Sequence, residues 1–350
     1  MPISKYYIIN RLDENTINYI NLNKINRIRF NHTLNQDVSI LNSCPLITHI
    51  IFGNSFNKSI DNLDLNLIFI YFGDNFNQPI DKIYTKLKYL YFSLSFNNTL
   101  LSQPILKVLK LGSFYNKYID FNNFKNLEYL TLGFQYNQPI TTLPNKLKYF
   151  KLGRSFNNIL PKIFPKTLST LILNAYYKKS INVPIYLKHL NLGVRYNHKI
   201  DFSLLCNLEI LQLSQTYSFN IENLSSKLKE LELGLSQTES SIICDLTNLK
   251  KLTIYNDYVI NYIPKTIEYL SIKILDNRKI NLVNFTKLKF LKLFIFISDF
   301  IFENIFDYLP LNLEVIYISS SGLITIKNIE LVSNIKIIYK YTYCDIYPGF

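Results

Sequence analysis

The sequence of 350 residues has no long uninterrupted hydrophobic run. A helix that spans a bilayer needs roughly 20 consecutive apolar residues. The richest stretch here, LFIFISDFIF at 293–302, is shorter and contains Asp299. The first residues also show no apolar segment followed by a small-residue cleavage site. We therefore expect a protein that makes no membrane contact and resides in the cytoplasm.

Cysteine is scarce, and the residues that occur stand alone at Cys44, Cys206, Cys244 and Cys344. Because no CxxC pair is present, the sequence predicts neither a zinc site nor a disulfide framework. We expect these thiols to be reduced and buried in the core.

Glycine is also sparse, with nine residues that are spread along the chain rather than grouped. Neither GxxxxGK[ST] nor GxGxxG occurs, which excludes the common glycine-rich loops that cradle phosphate groups. Of the histidines His32, His49, His189 and His198, only His49 and His189 fall on the same face of the sheet predicted below, about seven repeats and thus roughly 30 Å apart, so no base and nucleophile can be paired. We expect no catalytic activity, no cofactor and no metal site.

Apolar and aromatic residues are abundant: 48% of the chain is hydrophobic, and it contains 27 Tyr and 25 Phe. This composition is sufficient to bury a large core. The formal net charge is +13, but the lysines are scattered, which favours general solvation over a dedicated polyanion site. The many Asn, Ile and Lys residues have AT-rich codons, so we expect part of this charge to reflect an AT-rich genome.

A repeated decamer reveals the organisation of the chain. Residues 71–80 read YFGDNFNQPI and residues 131–140 read TLGFQYNQPI. Aligned on the glycine, the chain follows the frame L-x-x-L-x-L-G-x-x-[FY]-N-x-x-I about every 20 residues, from Ile25/Ile28/Phe30 to Leu313/Ile316/Ile318. This period is typical of leucine-rich repeats, in which each copy is a short strand plus a return segment.

Stacking is required because one copy buries too few apolar side chains to offset the entropy of ordering its backbone. Return segments such as ITTLPNKLKYF at 140–150 contain proline and are too short for an ordinary helix. We predict a mostly β fold: a single elongated leucine-rich-repeat-like solenoid with a parallel sheet and short non-helical return segments.

Three more positions recur after each strand. The glycine marks the strand end, where a positive φ or a close backbone approach is expected. The asparagine is expected to form a structural ladder that satisfies backbone groups. The aromatic residue is expected to form a buried, stacked spine. Its members are Phe56, Phe76, Phe96, Tyr115, Tyr136, Phe156, Tyr177 and Tyr196.

The repeat unit resembles the FNIP repeat, a relative of the leucine-rich repeat found in long arrays in amoeboid protists and their large DNA viruses. If the protein is viral, its expected location is the host cytoplasm. We predict an N-terminal cap at 1–24, the array at 25–260, and degenerate repeats with a C-terminal cap at 261–350. Some family members carry an F-box that links them to ubiquitin ligases. About 24 residues precede the first repeat here, too few for that domain, so we do not expect this link.

In the frame L-x-x-L-x-L the intervening residues point away from the core and line the exposed face of the sheet. The candidate binding residues on this face are Phe69, Tyr71, Tyr89, Tyr91, Tyr129, Tyr149, Lys151 and His189. The aromatic residues reflect either the strand propensity of tyrosine or an anchor patch for a protein partner. We favour the second, because they recur in neighbouring repeats and the face turns acidic only at Glu230 and Glu232.

We therefore expect a non-catalytic scaffold that binds an unidentified protein through the exposed face. The alternatives are single-stranded nucleic-acid binding, in which tyrosines stack on bases and lysines pair with phosphates, and a purely structural role. Nucleic-acid binding is disfavoured because the face lysines Lys110, Lys151 and Lys251 are sparse. Glu230 and Glu232 share one strand, and the sequence suggests no pocket beside them.

Overall fold

A computed structural model describes residues 6–236, 241–255, 259–274, 281–295, 300–301, 309–320, 324–325 and 335–341. The chain divides into two compact units, Met1–Pro184 and Ile185–Phe350. In both units the described residues form parallel strands joined by short returns, which confirms the predicted mostly β, leucine-rich-repeat-like solenoid. The predicted boundaries at residues 24 and 260 stay predictions.

In the first unit each strand pairs in parallel with the next strand along the chain. The register is in phase with the repeat, so that Ile70 lies opposite Leu90 and Leu130 opposite Phe150. The strands are β1 (Tyr7–Ile9), β2 (Arg27–Phe30), β3 (His49–Ile51), β4 (Phe69–Phe72), β5 (Tyr89–Phe92), β6 (Val108–Lys110), β7 (Tyr129–Thr131), β8 (Tyr149–Lys151) and β9 (Thr170–Ile172).

An α-helix, α1 (Glu14–Leu22), forms the return between β1 and β2. Asp13 begins it by accepting a hydrogen bond from the backbone N–H of Thr16 at 2.9 Å, an ordinary N-cap. Ile17 and Ile20, three residues apart on one helix face, are its buried residues. Both β1 and α1 lie in the predicted N-terminal cap, so the parallel sheet begins before the first repeat recognised in the sequence.

Elsewhere, the described residues of the returns are extended or form short 3₁₀ turns, as predicted from their length and proline content. The turns lie at Ser39–Ser43, Phe121–Asn123, Phe202–Leu204, Ser241–Asp245 and Ile260–Tyr262. An aspartate begins two of them: Asp120 accepts from the N–H of Asn122, and Asp201 from that of Ser203, each at 3.1 Å. Because the returns are short, each repeat forms one turn of the solenoid, here called a rung, from only about 20 residues.

In the main sheet of the second unit the strands lengthen along the chain, from three residues at β10 to six at β14, β15, β17 and β19. One parallel sheet contains β10 (His189–Asn191), β11 (Ile210–Gln212), β12 (Glu230–Glu232), β13 (Lys251–Ile254), β14 (Tyr269–Ile274), β15 (Phe290–Ile295), β17 (Val315–Ser320) and β19 (Lys336–Tyr341). A separate pair contains β16 (Phe300–Ile301) and β18 (Ile324–Thr325).

The longest strands occur in repeats that lack the repeat glycine. Lys273, Phe294 and Ser319 occupy the position that glycine holds in earlier repeats. Each of these residues is paired within the ladder, Lys273 with Phe294 and Phe294 with Ser319, so the strand continues through the point where earlier strands end. This extension widens the outward face of the sheet in the second unit.

The core of both units is built on the inward-facing apolar triplets and the aromatic spine, and buried residues of the return segments, such as Leu41 and Leu63, add to it. Rings of the spine stack from rung to rung in the first unit: the centroids of Phe76 and Phe96 are 5.9 Å apart, and those of Phe96 and Tyr115 are 5.5 Å apart. All the spine residues predicted from the sequence are buried, as is Tyr217 in the next repeat. Offset stacking of this kind adds to the free energy of burial.

The predicted asparagine ladder is confirmed, and its geometry is uniform. The side-chain Oδ1 of each asparagine accepts a hydrogen bond from the backbone N–H one rung further on. Asn57 accepts from Asn77 and Asn137 from Asn157, both at 2.9 Å. Other steps join Asn77 to Asn97, Asn97 to Asn116, Asn116 to Asn137, Asn157 to Lys178, and, in the second unit, Asn197 to Ser218. The ladder fixes the register at the strand ends.

The repeat glycines are explained mostly by close backbone approach. A Cβ atom on Gly153 would lie 1.7 Å from the carbonyl oxygen of Gly133, whereas one on Gly112 would lie 3.1 Å from that of Ser93. A positive φ of 69° occurs at Gly193. The neighbouring rung therefore leaves no room for a side chain at Gly153, whereas at Gly112 a small shift would make room for one.

The prediction that the cysteines are buried is wrong for two of them. Cys44 is buried, but Cys206 and Cys244 are exposed. Cys206 and Cys244 lie in return segments, outside the inward-facing triplets, which explains their exposure. Cys344 lies outside the described residues.

Candidate functional site

The outward face of the first unit carries the aromatic patch, which we define as Phe69, Tyr71, Tyr89, Tyr91, Tyr129 and Tyr149. Along β4 and β5, partly exposed residues alternate with buried ones. Ile70 and Phe72 point into the core, whereas Phe69 and Tyr71 point outward. The structure therefore places all six aromatic residues on the predicted face.

The patch consists of two groups of rings in contact. In the first, the centroid of Phe69 lies 5.4 Å from that of Tyr91 and 6.4 Å from that of Tyr89. In the second, Tyr129 and Tyr149 are 6.0 Å apart. Strand β6, with Val108 and Lys110 facing outward, separates the two groups.

The rings are less exposed than the sequence suggested, because neighbouring rings cover one another. Tyr129 is 44% exposed, while the other five residues are half-buried. Burial raises the pKa of the Tyr91 and Tyr149 hydroxyls, so both are neutral at physiological pH. The patch is therefore an uncharged and partly preformed surface.

His49 extends the first group by one rung. Its ring stacks on Phe69 with centroids 5.8 Å apart, and its Nδ1 lies 2.8 Å from Thr48 Oγ1. Burial, followed by the charge of Arg27, lowers the pKa of His49. The neutral imidazole consequently adds aromatic surface to the patch without adding charge.

Four cationic residues face outward on the strands of the first unit. Arg27 and Arg29 lie on β2, beside His49 and Ile51 of β3. Lys151 is exposed on β8 beside Tyr149, and Lys110 is exposed on β6.

Lys107, Glu128 and Lys148 directly precede β6, β7 and β8. Both lysines pair with Glu128, with N–O distances of 3.2 and 2.7 Å. These ion pairs hold the pKa of Glu128 below its usual range.

His189 lies in the second unit, at the start of β10 and opposite Ile210. It is half-buried on the outward face, and burial lowers its pKa. The structure thus places it on the predicted face, but in a different unit from the other candidate residues.

A cavity of about 320 Å³ opens on the outward face of the second unit. Residues of β11 to β15 line it, among them Glu230, Glu232 and Lys251. The prediction that no pocket lies beside Glu230 and Glu232 is therefore wrong. Strands β14 and β15 extend past the position at which earlier strands end. Lys273 and Phe294 lie in these extensions and form part of the cavity lining.

Both carboxylates in this cavity have close partners. Glu232 accepts a hydrogen bond from the Tyr255 hydroxyl at 2.6 Å and another from Gln212 Nε2 at 2.9 Å. Lys251 Nζ lies 3.0 Å from Glu230 Oε2. Burial and the negative charge of Glu232 raise the pKa of Tyr255, so its hydroxyl keeps the proton that it donates.

Two further lysines lie against aromatic rings in the same cavity. Lys273 Nζ is 5.3 Å from the ring centroid of Tyr255. Lys292 Nζ is 4.5 Å from that of Phe294 and 5.2 Å from that of Tyr317. Burial lowers the pKa of Lys273. Cation–π contacts of this length hold an ammonium group in place.

In the described part of the chain, no three His, Cys, Asp or Glu side chains converge in a way that could hold a metal ion. No helix among the described residues has the length and hydropathy that crossing a bilayer requires.

Comparison with known proteins identifies the repeat. The FNIP Repeat family model matches residues 136–176. These residues contain two spine rings, Tyr136 and Phe156, and two ladder steps, at Asn137 and Asn157. No curated protein matches the sequence.

Solved structures share the fold. CroV588, described as a novel circular LRR protein, is 23% identical, with a TM-score of 0.56 over 91% of this chain; the chain spans 60% of its length. The functional domain of InlJ from Listeria monocytogenes is 18% identical (TM-score 0.46, 81% of this chain and 72% of that one). The LRR protein LIC12759 from Leptospira interrogans is 17% identical, with a TM-score of 0.43; the match covers 93% of this chain and 86% of that one. The chain thus carries an FNIP repeat at residues 136–176 and has the fold of the leucine-rich-repeat solenoids.

Proposed function

We propose that this protein is a non-catalytic scaffold that binds another protein through the aromatic patch. The observation that carries the proposal is the contact between outward-facing rings on neighbouring strands, Phe69 with Tyr91 and Tyr129 with Tyr149. A few aromatic side chains near the centre of an interface commonly supply most of its binding free energy.

The arrangement of the rings suits this role. Each ring projects from a strand whose neighbours on both sides are hydrogen-bonded to it, so the backbone beneath the patch is fixed. Contacts between rings already restrict the side chains of Phe69 and Tyr91. A surface that is ordered before binding loses less conformational entropy when the partner arrives.

Single-stranded nucleic acid is the rival partner, since it too stacks on aromatic rings. That mode of binding also needs cations that follow the phosphate backbone. On the outward face of the first unit, the cationic residues are Arg27, Arg29, Lys110 and Lys151, spread over nine strands, and the nearby Lys107 and Lys148 share the single carboxylate of Glu128. This charge distribution favours a protein partner.

A purely structural role remains a third possibility, and it predicts no partner at the patch. The cytoplasmic location and the absence of a ubiquitin-ligase link stay predictions from the sequence.

Affinity capture with the full chain as bait, from the cells that produce it, tests the proposal. We expect a protein to be recovered, with a yield that nuclease treatment leaves unchanged and that falls less than tenfold between 50 and 200 mM salt. Affinity that rests on about 6–10 phosphate contacts falls by roughly 10³ to 10⁵ over that range. Recovery of RNA, or a protein yield abolished by nuclease, would contradict the proposal.

A further inference from the structure

We propose that the cavity on the outward face of the second unit binds a small organic anion, with its carboxylate or phosphate group held by Lys273 and Lys292. This site is independent of the aromatic patch, which lies in the first unit. Its volume of about 320 Å³ falls at the lower end of the range for small-molecule sites, about 300–1,000 Å³.

The acidic residues of the cavity are already occupied by donors within the protein. Glu232 receives two hydrogen bonds, from Tyr255 and Gln212, and Glu230 pairs with Lys251. These contacts engage part of the acceptor capacity of each carboxylate, and the ammonium group of Lys251 offsets the charge of Glu230. Among the described lining residues, three ammonium groups face two carboxylates, which favours an incoming anion over a cation.

The donors of the cavity lie together on its other side. Lys292 on β15 is in register with Ser271 on β14, and Ser271 is in register with Thr253 on β13. Lys273 is two residues beyond Ser271, diagonal to Lys292 on the same face. Two ammonium groups and two hydroxyl groups therefore line one side of the cavity, a set of donors that suits carboxylate or phosphate oxygens.

The rings beside these lysines complete the site. Phe294 and Tyr255 hold the two ammonium groups at cation–π distance, 4.5 Å for Lys292 and 5.3 Å for Lys273. Tyr269 and Phe294 also contribute apolar surface to the lining. A ligand with an anionic group and a short apolar or aromatic body would match both parts of the cavity.

Calorimetric titration of the full chain with phenyl phosphate, benzoate and benzyl alcohol at low salt tests the proposal. We expect saturable binding of phenyl phosphate, benzoate or both, and at least tenfold weaker binding of the neutral benzyl alcohol. The comparison of the two anions identifies which group the site prefers. The double variant K273Q/K292Q is expected to lose at least tenfold in affinity for the preferred anion.

The variant K162Q/K166Q is the matched control, because it removes the same charge from exposed return-segment positions in the first unit. It should bind the anion as the wild type does. If the double cavity variant does not fold, as judged by circular dichroism, the single variants K273Q and K292Q are each expected to lose several-fold. Absence of saturable binding, equal binding of benzyl alcohol, or equal losses in the cavity and control variants would overturn the proposal.

Discussion

Leu90→Ser is expected to lower the free energy of unfolding of the first unit by about 3–5 kcal/mol, and Tyr91→Ser by about 1–2 kcal/mol, although the two residues are adjacent on β5. Leu90 is fully buried. Replacing it leaves a cavity, which costs about 2–5 kcal/mol in comparable cases, and places a hydroxyl in an apolar core. Tyr91 faces outward, and its loss removes ring contacts worth about 0.5–1.5 kcal/mol each.

Chemical denaturation followed by far-UV circular dichroism measures both effects. A repeat protein can unfold in more than one step, so the midpoint of each unfolding transition should be compared between the variants and the wild type. Equal losses for the two variants, or a larger loss for Tyr91→Ser, would show that the inward and outward faces are assigned wrongly.

Gly153→Ala is expected to destabilise the first unit by about 1–3 kcal/mol or more, the usual cost of overpacking a tight site. The added methyl group would lie 1.7 Å from the carbonyl oxygen of Gly133. This oxygen belongs to the backbone of the neighbouring rung, so relief requires the rungs themselves to move apart. The hydrogen bond from Phe156 N–H to the Gly153 carbonyl, 3.1 Å long, lies at the same turn and would be disturbed.

Gly112→Ala is the matched control, because it makes the same chemical change at the same position of the repeat. There the nearest atom would be 3.1 Å away, and a shift of a few tenths of an ångström relieves the contact. We expect a change within about 0.5 kcal/mol, the usual range for substitutions away from special features. Thermal melts of the two variants provide the comparison. Similar melting temperatures would show that close backbone approach does not explain the repeat glycines.

The strand positions could be predicted from the sequence because the repeat constrains three levels of structure together. The spacing of the triplets gives the strand, its alternation gives the buried face, and the period of about 20 residues gives the neighbour in the sheet. The ladder at Asn137 and the spine at Tyr136 recur with that period, so their roles also followed from the pattern.

The cavity in the second unit did not follow from the pattern, because it depends on where the pattern fails. At Lys273 and Phe294 the repeat glycine is absent, and β14 and β15 extend to six residues. The missing glycine was visible in the sequence and predicted a degenerate repeat. The longer strands and the wider outward face could not be predicted from that absence. The cavity also depends on side-chain contacts, such as Lys292 over Phe294, which sequence spacing does not specify.

The half-buried state of the aromatic patch has a similar explanation. The alternation correctly predicted that Phe69 and Tyr89 point outward, but exposure depends on how far each ring reaches across to the next rung. With rungs about 4.8 Å apart, large rings on neighbouring strands cover each other, and Phe69 and Tyr89 lie 6.4 Å apart.

The measurement that tests the proposed function most directly compares two folded variants in the same affinity capture. One replaces Tyr89, Tyr91, Tyr129 and Tyr149 with serine. The control replaces Phe114 and Tyr118, which are 48% and 59% exposed and lie outside the strands. We predict that the patch variant melts cooperatively at a lower temperature than the wild type, because it loses several ring contacts, and remains folded at the temperature of the capture. It should lose at least tenfold of the partner captured by the wild type, while the control keeps it. Capture of the partner by a folded patch variant at the wild-type level would contradict the proposal that the aromatic patch is the binding surface.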